Sequence, residues 1–426
     1  MNPTEILITI ILLTAVYSTG RLTLYRLLSN IHLIRERRTV GPKYYRPKLS
    51  IIIPAHNEAA VIERTLRSVA NANYPRSRLE VIVANDGSTD QTAKIVRSFA
   101  AKNRKLINIK LRTRPNRGKA EALNYAIKKL ATGQLIMCLD ADSIIDKDCL
   151  VNSVKYFYRS NIVATASNVN VIENGTLLGL AQRFEYLMSH HMKRANTQLG
   201  IEYIIGGVGS TFRRSILGSV NYYDSDTMTE DIDLTLKIIQ TGNKQNRVVF
   251  AADAITYTEP VQTYGALIKQ RFRWRYGRMQ SFWKNRSLFF NPNKNYNRLL
   301  TFYLLPSTLV YEFVIITEPI IVIVFAAYAI VTGDISSLLT LMAVYGAIGS
   351  LCIWSSDSLD TRTKLRLSRY IPLVFILIYW IVIIEYITAA KSLAKLHAIP
   401  RIKNATKTTW VSPKRDARSL VPEIVR

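Results

Sequence analysis

The sequence predicts an α/β domain with a parallel sheet, set between apolar segments that meet a membrane. Three observations predict it. From residue 45 to about 260, β-rich apolar runs alternate with helical patterns, the order of a parallel sheet with helices on both faces. Long apolar stretches sit at the N-terminus and in the C-terminal third. The chain carries 57 Lys and Arg against 30 Asp and Glu, a net charge of +27 in 426 residues, and its basic runs flank the apolar stretches.

Ile6 to Thr19 is the first apolar run. It is short for a span, which needs ~20 residues. A secretory signal would carry positive charge before it, but Glu5 stands there and no small-residue cleavage site follows. A membrane anchor over 1–29 is expected, with Arg21 snorkelling and Leu22, Leu24 and Leu27 extending the helix. Arg21, Arg26, Arg35, Arg37 and Arg38 follow the run, so the positive-inside rule places the N-terminus outside and the next residues in the cytoplasm.

A cytoplasmic domain over 30–260 comes next. Leu49–Pro54, Leu79–Ala84, Leu106–Leu111, Leu135–Leu139 and Ile162–Val171 read as strands. Glu58–Asn71, Thr92–Lys102, Lys119–Leu130 and Lys147–Tyr158 read as helices. Ligands on such sheets bind beyond the C-terminal strand ends. Polar clusters lie there: Pro54-Ala55-His56-Asn57-Glu58, then Asn85-Asp86-Gly87-Ser88-Thr89-Asp90, then Asp140-Ala141-Asp142. Any one alone reads as a turn with a helix cap; three on one sheet edge read as a site. On an extended strand end Asp140 and Asp142 would share a face. Two such carboxylates suit Mg²⁺ or Mn²⁺ with a substrate diphosphate. No zinc-type His/Cys cluster and no P-loop signature occurs.

Residues 261–298 hold nine basic residues and no acid, the pattern of basic interfacial helices. Residues 299–392 then supply three or four spans. Leu299 to Val331 exceeds one span and is either two short spans broken near Pro319 or an interfacial helix and one span. Ile335–Trp354 and Tyr370–Ala390 each suit one. Glu312, Glu318 and Glu385 are acids in these stretches, with functional or protein-facing structural roles. The basic tail over 393–426 is expected in the cytoplasm. Ends on opposite sides favour five spans, which puts Ser355–Arg369 outside, against its basic residues Arg362, Lys364, Arg366 and Arg369.

The chain resembles the glycosyltransferase family 2 enzymes, in particular the membrane-integrated processive branch of cellulose, chitin, hyaluronan and poly-N-acetylglucosamine synthases. The resemblance runs from about residue 48 to 290. Pro54–Glu58 looks like the family's uridine-binding segment, with Ala55, Asn57 and Glu58 as contacts. Asn85–Asp90 looks like the second, with Asp86 on the uracil or ribose. Asn116-Arg117-Gly118-Lys119-Ala120 looks like the next nucleotide segment, through Arg117 and Lys119. Asp140-Ala141-Asp142 looks like the metal-binding D-x-D, Thr229-Glu230-Asp231 like the catalytic T-E-D, and Gln270-Arg271-Phe272-Arg273-Trp274 like Q-x-x-R-W. Gly207, within Gly206–Thr211, holds the place of an acceptor loop, and Trp410 is reminiscent of a C-terminal motif.

The resemblance implies a glycosyltransferase A-type fold with transmembrane helices in the cell membrane, and an inverting transfer from a UDP-sugar to a growing glycan. Asp231, beside Glu230, is the candidate base. Arg273 can take the diphosphate bidentately, Gln270 lies in the same motif, and Trp274 offers a face for a sugar ring. A Mg²⁺ or Mn²⁺ cofactor, the bilayer and a small membrane partner subunit are implied partners. UDP-N-acetylglucosamine is the first donor choice, with hyaluronan- or chitin-type synthesis next. Transfer of one sugar to a lipid, a transporter without catalysis, and a nucleic-acid binder are the other readings. The placement of the basic runs beside apolar stretches makes the charge a topology signal, so no nucleic-acid partner is expected. His190 and His191 read as structural, and Cys138 as packed.

Overall fold

The computed structural model describes residues 20–21, 23–32, 34, 44–315, 323–324, 327–328, 330–333, 335–356 and 358–399. The first apolar run, Glu318, Pro319, Trp410 and most of the basic tail lie outside the described residues. At the domain's centre is an eight-stranded sheet in the order β3-β2-β1-β4-β7-β6-β8-β5. The strands are β1 (Leu49–Ala55), β2 (Leu79–Asp86), β3 (Ile109–Arg114), β4 (Leu135–Cys138), β5 (Ile144–Ile145), β6 (Ile162–Val171), β7 (Ser210–Arg213) and β8 (Arg247–Thr258).

Every residue of β1 and β2 is buried. That is why Ile51–Ile53 and Val81–Ala84 read as apolar runs: a central parallel strand has no solvent face. Leu49 pairs with Leu79 and Ala55 with Asn85 in parallel register, and β4 flanks β1 on its other side. The sheet is mixed rather than all parallel. β7 runs antiparallel to both β4 and β6, and β5 antiparallel to β8. The third strand starts three residues later than its apolar run implies. It is also half-exposed, as befits an edge.

Apolar layers cover both faces. On one, helix α1 (Ile62–Ala70) places Ile62, Leu66 and Val69 against Ile51, Ile53, Val81 and Val83, with α2 (Thr92–Lys102) alongside. On the other, Leu123, Ala126 and Ile127 of α3 (Lys119–Lys129) and Leu234 and Ile238 of α7 (Glu230–Gln240) meet Ile52, Ile82, Ile136 and Phe250. Each of the Leu, Ile, Val and Phe side chains among these contributes about 1.5–3 kcal/mol by full burial. Between α3 and α7 the chain forms α4 (Cys149–Val154), α5 (Leu177–Leu199) and α6 (Arg214–Ser219).

A second body of helices lies against α5. It comprises α8 (Tyr264–Lys284), α9 (Leu305–Val314), α10 (Ile335–Trp354), α11 (Thr361–Ser368) and α12 (Val374–Leu393). A π-helical segment, Leu299–Leu304, leads into α9, and Pro306 is the second residue of α9. Phe184, Leu187, Leu267, Leu377, Ile381 and Ile384 share one apolar cluster. α12 runs beside α8 in the same direction. Tyr264 and Trp380 rings lie 5.5 Å apart near one end, and the Tyr276 hydroxyl donates to the Lys395 carbonyl at 3.3 Å near the other. Among the described residues, Ile371–Leu393 is the helix long and apolar enough to cross a membrane, and Leu299–Val314 and Met342–Trp354 are shorter apolar helices.

The loop after α10 corrects the five-span topology, which put it outside. Arg366 pairs with Glu173 at 2.5 Å, the Ser358 hydroxyl donates to Asn170 at 3.4 Å, and Ser355 Oγ is 3.4 Å from His191 Nε2. Residues 355–356 and 358–369 therefore sit against the α/β domain, not across a bilayer from it.

Candidate active site

The strand ends and the loops beyond them form one connected surface. Asn57, just past β1, adopts a left-handed backbone with φ 57°. Its side-chain oxygen accepts the Thr89 N–H at 2.8 Å, and its own N–H donates to Ser88 Oγ at 3.0 Å. Ala55 is fully buried, and the buried Glu58 donates its backbone N–H to Thr92 Oγ1 at 2.9 Å. Asp90 accepts the Ala59 and Thr92 N–H groups at 3.0 and 2.9 Å, and those bonds hold its carboxyl below the ordinary range despite partial burial. The first two polar clusters are thus laced together.

Asp86 joins them to the third. It is fully buried, and it accepts N–H groups of Arg117 at 3.2 Å and Gly118 at 2.8 Å. Arg114 lies 3.8 Å away. The Asp86 carboxylate therefore shapes the segment that carries the exposed Arg117, rather than standing open for a base or ribose. Arg114 escaped the sequence reading. Its signal was the register that pairs Asp86 with Arg114 at the end of β2 and β3. Gly87, at φ 72°, permits this closure, because a Cβ there would lie 2.8 Å from the Asn116 nitrogen.

Lys119 opens α3 and points into the site. Its ammonium is 2.8 Å from Asp140 Oδ1 and 3.2 Å from Glu230 Oε1. Burial alone would depress its pKa; the two carboxylates outweigh that and hold it well above the usual range. Gly207 closes over this pair, since a Cβ there would be 2.9 Å from Lys119 Nζ and 3.4 Å from the Asp140 oxygens. Asp140 and Asp142 are not on an extended strand. β4 ends at Cys138 and a turn follows, closed by the Ser143 N–H on the Asp140 carbonyl at 3.0 Å. Asp142 is buried and accepts from Ser143 Oγ at 3.1 Å. Thr65 of α1 holds the same turn through the Ala141 carbonyl at 2.7 Å.

Glu230 and Asp231 begin α7. Burial, then the Glu230 charge, raises the Asp231 carboxyl to about 6, against the pull of Lys119 and Arg273. Asp231 Oδ1 accepts the Ile232 N–H at 2.9 Å. The segment before it docks on α8. A Cβ on Gly277 would lie 2.7 Å from Thr229 Cγ2, and Gln280 accepts the Met228 N–H at 2.9 Å. Of the basic motif on α8, Gln270 and Trp274 are half-buried and Arg273 is exposed. One face of Trp274 is covered by Arg271, whose guanidinium carbon is 4.4 Å from the ring centroid.

Basic residues of α8 do not all face headgroups, as an interfacial helix would have them. Arg271 pairs with Glu185 at 2.7 Å, Arg275 with Glu385 at 2.8 Å and with Glu312, and Arg278 with Glu312. Lys284 Nζ lies 2.6, 2.7 and 2.9 Å from Asp224, Asp226 and Asp233. Those three acids are close enough together to share a cation, and the ammonium of Lys284 already serves them. His191 Nδ1 is 3.3 Å from Ser29 Oγ, and His190 Nε2 is 2.9 Å from the Val169 carbonyl. Burial pushes both imidazoles down to about 3. Cys138 is packed against the Tyr223 hydroxyl at 3.2 Å, and burial pushes its thiol up to about 12.

Comparison with known proteins follows the same geometry. Residues 50–220 match the family described as Glycosyl transferase family 2. The chain is 34% identical over 241 residues to a poly-beta-1,6-N-acetyl-D-glucosamine synthase of Staphylococcus epidermidis, covering 55% of this chain and 56% of that protein. It is 34% identical over 231 residues to the synthase of the same name from Staphylococcus aureus strain COL, covering 54% of each. The chain thus spans about half the length of the curated relatives it matches. Among solved structures, the mannosyltransferase PcManGT from Pyrobaculum calidifontis, in complex with GDP-Man and Mn2+, has a TM-score of 0.60. It covers 88% of this chain and 99% of that one at 22% identity, and so shares the fold. The sheet, the strand-end clusters and the matched segment agree: over residues 50–220 this chain carries a glycosyltransferase family 2 domain.

Proposed function

We propose that the protein is a membrane-embedded inverting glycosyltransferase that uses a UDP-sugar to extend a β-linked glycan. The observation that carries the reading is Lys119, whose ammonium bridges Asp140 and Glu230 at 2.8 and 3.2 Å. It brings the donor pocket and the Glu230–Asp231 pair to one point. The likeness to the two staphylococcal synthases supports UDP-N-acetylglucosamine as donor and a poly-N-acetylglucosamine-type product. The apolar helices support a multi-pass membrane protein with its α/β domain in the cytoplasm.

In this reading Asn57, Glu58 and the Asp86-held segment with Arg117 cradle the nucleotide. Asp231, half-buried and with its carboxyl raised to about 6, is poised to take the proton of an acceptor hydroxyl near neutral pH. The acceptor oxygen attacks the anomeric carbon as the bond to the diphosphate breaks, and UDP leaves. Arg273 and Lys119 meet the charge that develops on it. Asp140 and Asp142 fit a divalent cation. Both offer hard oxygens, and a cationic ammonium already rests on Asp140. A Mg²⁺ or Mn²⁺ bound there would neutralise diphosphate charge.

The full chain in membranes, given a panel of UDP-sugars with Mg²⁺ or Mn²⁺, tests this. UDP release with a ladder of long products is expected, lost on chelation. A single-sugar glycolipid product would turn the reading to lipid glycosylation. Consumption of no UDP-sugar would overturn it.

A further inference from the structure

Helix α8 has two opposite faces, and each is committed. At 3.6 residues per turn, Gln270, Arg273, Gly277, Gln280, Ser281 and Lys284 share one side. That side meets the 224–233 segment, with Ser281 Oγ 3.4 Å from Thr229 Oγ1. Gly277 lies against Thr229, Gln280 accepts the Met228 N–H at 2.9 Å, and Lys284 binds Asp224, Asp226 and Asp233. Arg271, Arg275 and Arg278 share the other side. They meet Glu185 of α5, Glu312 of α9 and Glu385 of α12. Three cations face three anions, so the row is neutral as a whole. Glu312 and Arg275 are almost wholly buried. A buried pair adds little net stability but fixes geometry, because neither charge can leave the other cheaply.

We infer that Glu312 and Glu385, on apolar helices, are positioning residues for sugar transfer. They hold the arginine side of α8 so that its other side keeps Thr229-Glu230-Asp231 in register with Lys119 and Asp140. Neither glutamate touches the donor pocket. Their effect passes through a rigid helix that has no slack, since Gly277 meets Thr229 with no space for a methyl group. The inference rests on the transferase reading for its kinetic consequence only.

The test uses the full chain in lipid nanodiscs with Glu312→Gln and Glu385→Gln. Two readouts are taken. Hydrogen exchange of amides 228–233 should quicken at least tenfold while β1 and β2 stay protected. The kcat for UDP release should fall at least tenfold with the donor KM within twofold. If either variant fails to accumulate, Arg275→Gln/Glu385→Gln carries the same comparison. It leaves Arg278 with Glu312 and Arg271 with Glu185, so no lone charge is buried. Unchanged exchange at 228–233, exchange quickened alike across the sheet, or unchanged kcat each overturns the proposal. If the wild-type chain transfers nothing, the transferase reading falls, and the exchange comparison alone decides whether the glutamates hold this contact.

Discussion

Gly277 and Thr229 touch backbone to side chain: a Cβ on the glycine would fall 2.7 Å from both Thr229 Cγ2 and Oγ1 and 2.9 Å from its nitrogen. The helix carrying the basic motif and the segment carrying the acidic motif meet here. Gly277→Ala has backbone on one side and a buried threonine on the other, so something must shift. Overpacking of this kind costs about 1–3 kcal/mol. Thermal unfolding of the purified variant should show that loss, and UDP release should drop with it. A variant with wild-type stability and turnover would mean that the contact yields freely.

Asp231→Asn keeps size and removes the proposed proton acceptor. Loss of a general base lowers rate by about 10²–10⁴. UDP affinity, measured by calorimetry, should stay near wild type, because the proposed nucleotide cradle lies on the loops after β1, β2 and β3. A variant that keeps full turnover rules Asp231 out as the base.

The Asp231 carboxyl also sets a pH dependence. Its folded pKa is raised to about 6, so the base form is lost as pH falls through that value. The rate should climb through about 6 and level above it. The same shift works against stability: a raised acid pKa means the folded state holds its proton more tightly, so this group favours folding below its ordinary pKa and loses that contribution as pH rises through about 6. Lys119→Met removes a cation that pulls the value down. The acid limb of kcat/KM should therefore move to higher pH. A limb that stays put would place Lys119's charge outside the base's field.

Asp86→Asn exchanges a carboxylate for an amide that accepts with one oxygen. It weakens the bonds from Arg117 and Gly118 N–H groups. A buried donor left unpaired costs about 1–3 kcal/mol. UDP binding should weaken by a comparable amount while the unfolding midpoint drops. Retained nucleotide affinity would show that the 116–118 segment holds its shape without Asp86.

Much of the α/β half was readable in one dimension. β1 and β2 are buried on both faces, so Ile51–Ile53 and Val81–Ala84 at their centres are apolar, and the loops that follow must be polar to bind or cap. That placed Asn57, Asp86 and Asp140 in order along the chain, while Glu230 and Asp231, which open a helix, stood out only through the family resemblance. β7 was missed because Ser210–Arg213 is four residues of mixed polarity. It is a strand only because β4 and β6 flank it. Its antiparallel direction likewise belongs to the assembled sheet.

The sequence alone determined where the apolar, acidic and basic residues fall, because burial and strand periodicity are local properties. Only the tertiary structure decided what the arginines of residues 264–284 serve. Arg273 is exposed and its charge acts on Asp231, while Arg271, Arg275 and Arg278 face glutamates as distant in sequence as Glu385. It also decided the side of the 355–369 loop, through Glu173. An ion pair depends on which charge arrives within a few ångströms. Composition along the chain sets the supply of charges, and folding alone sets that distance.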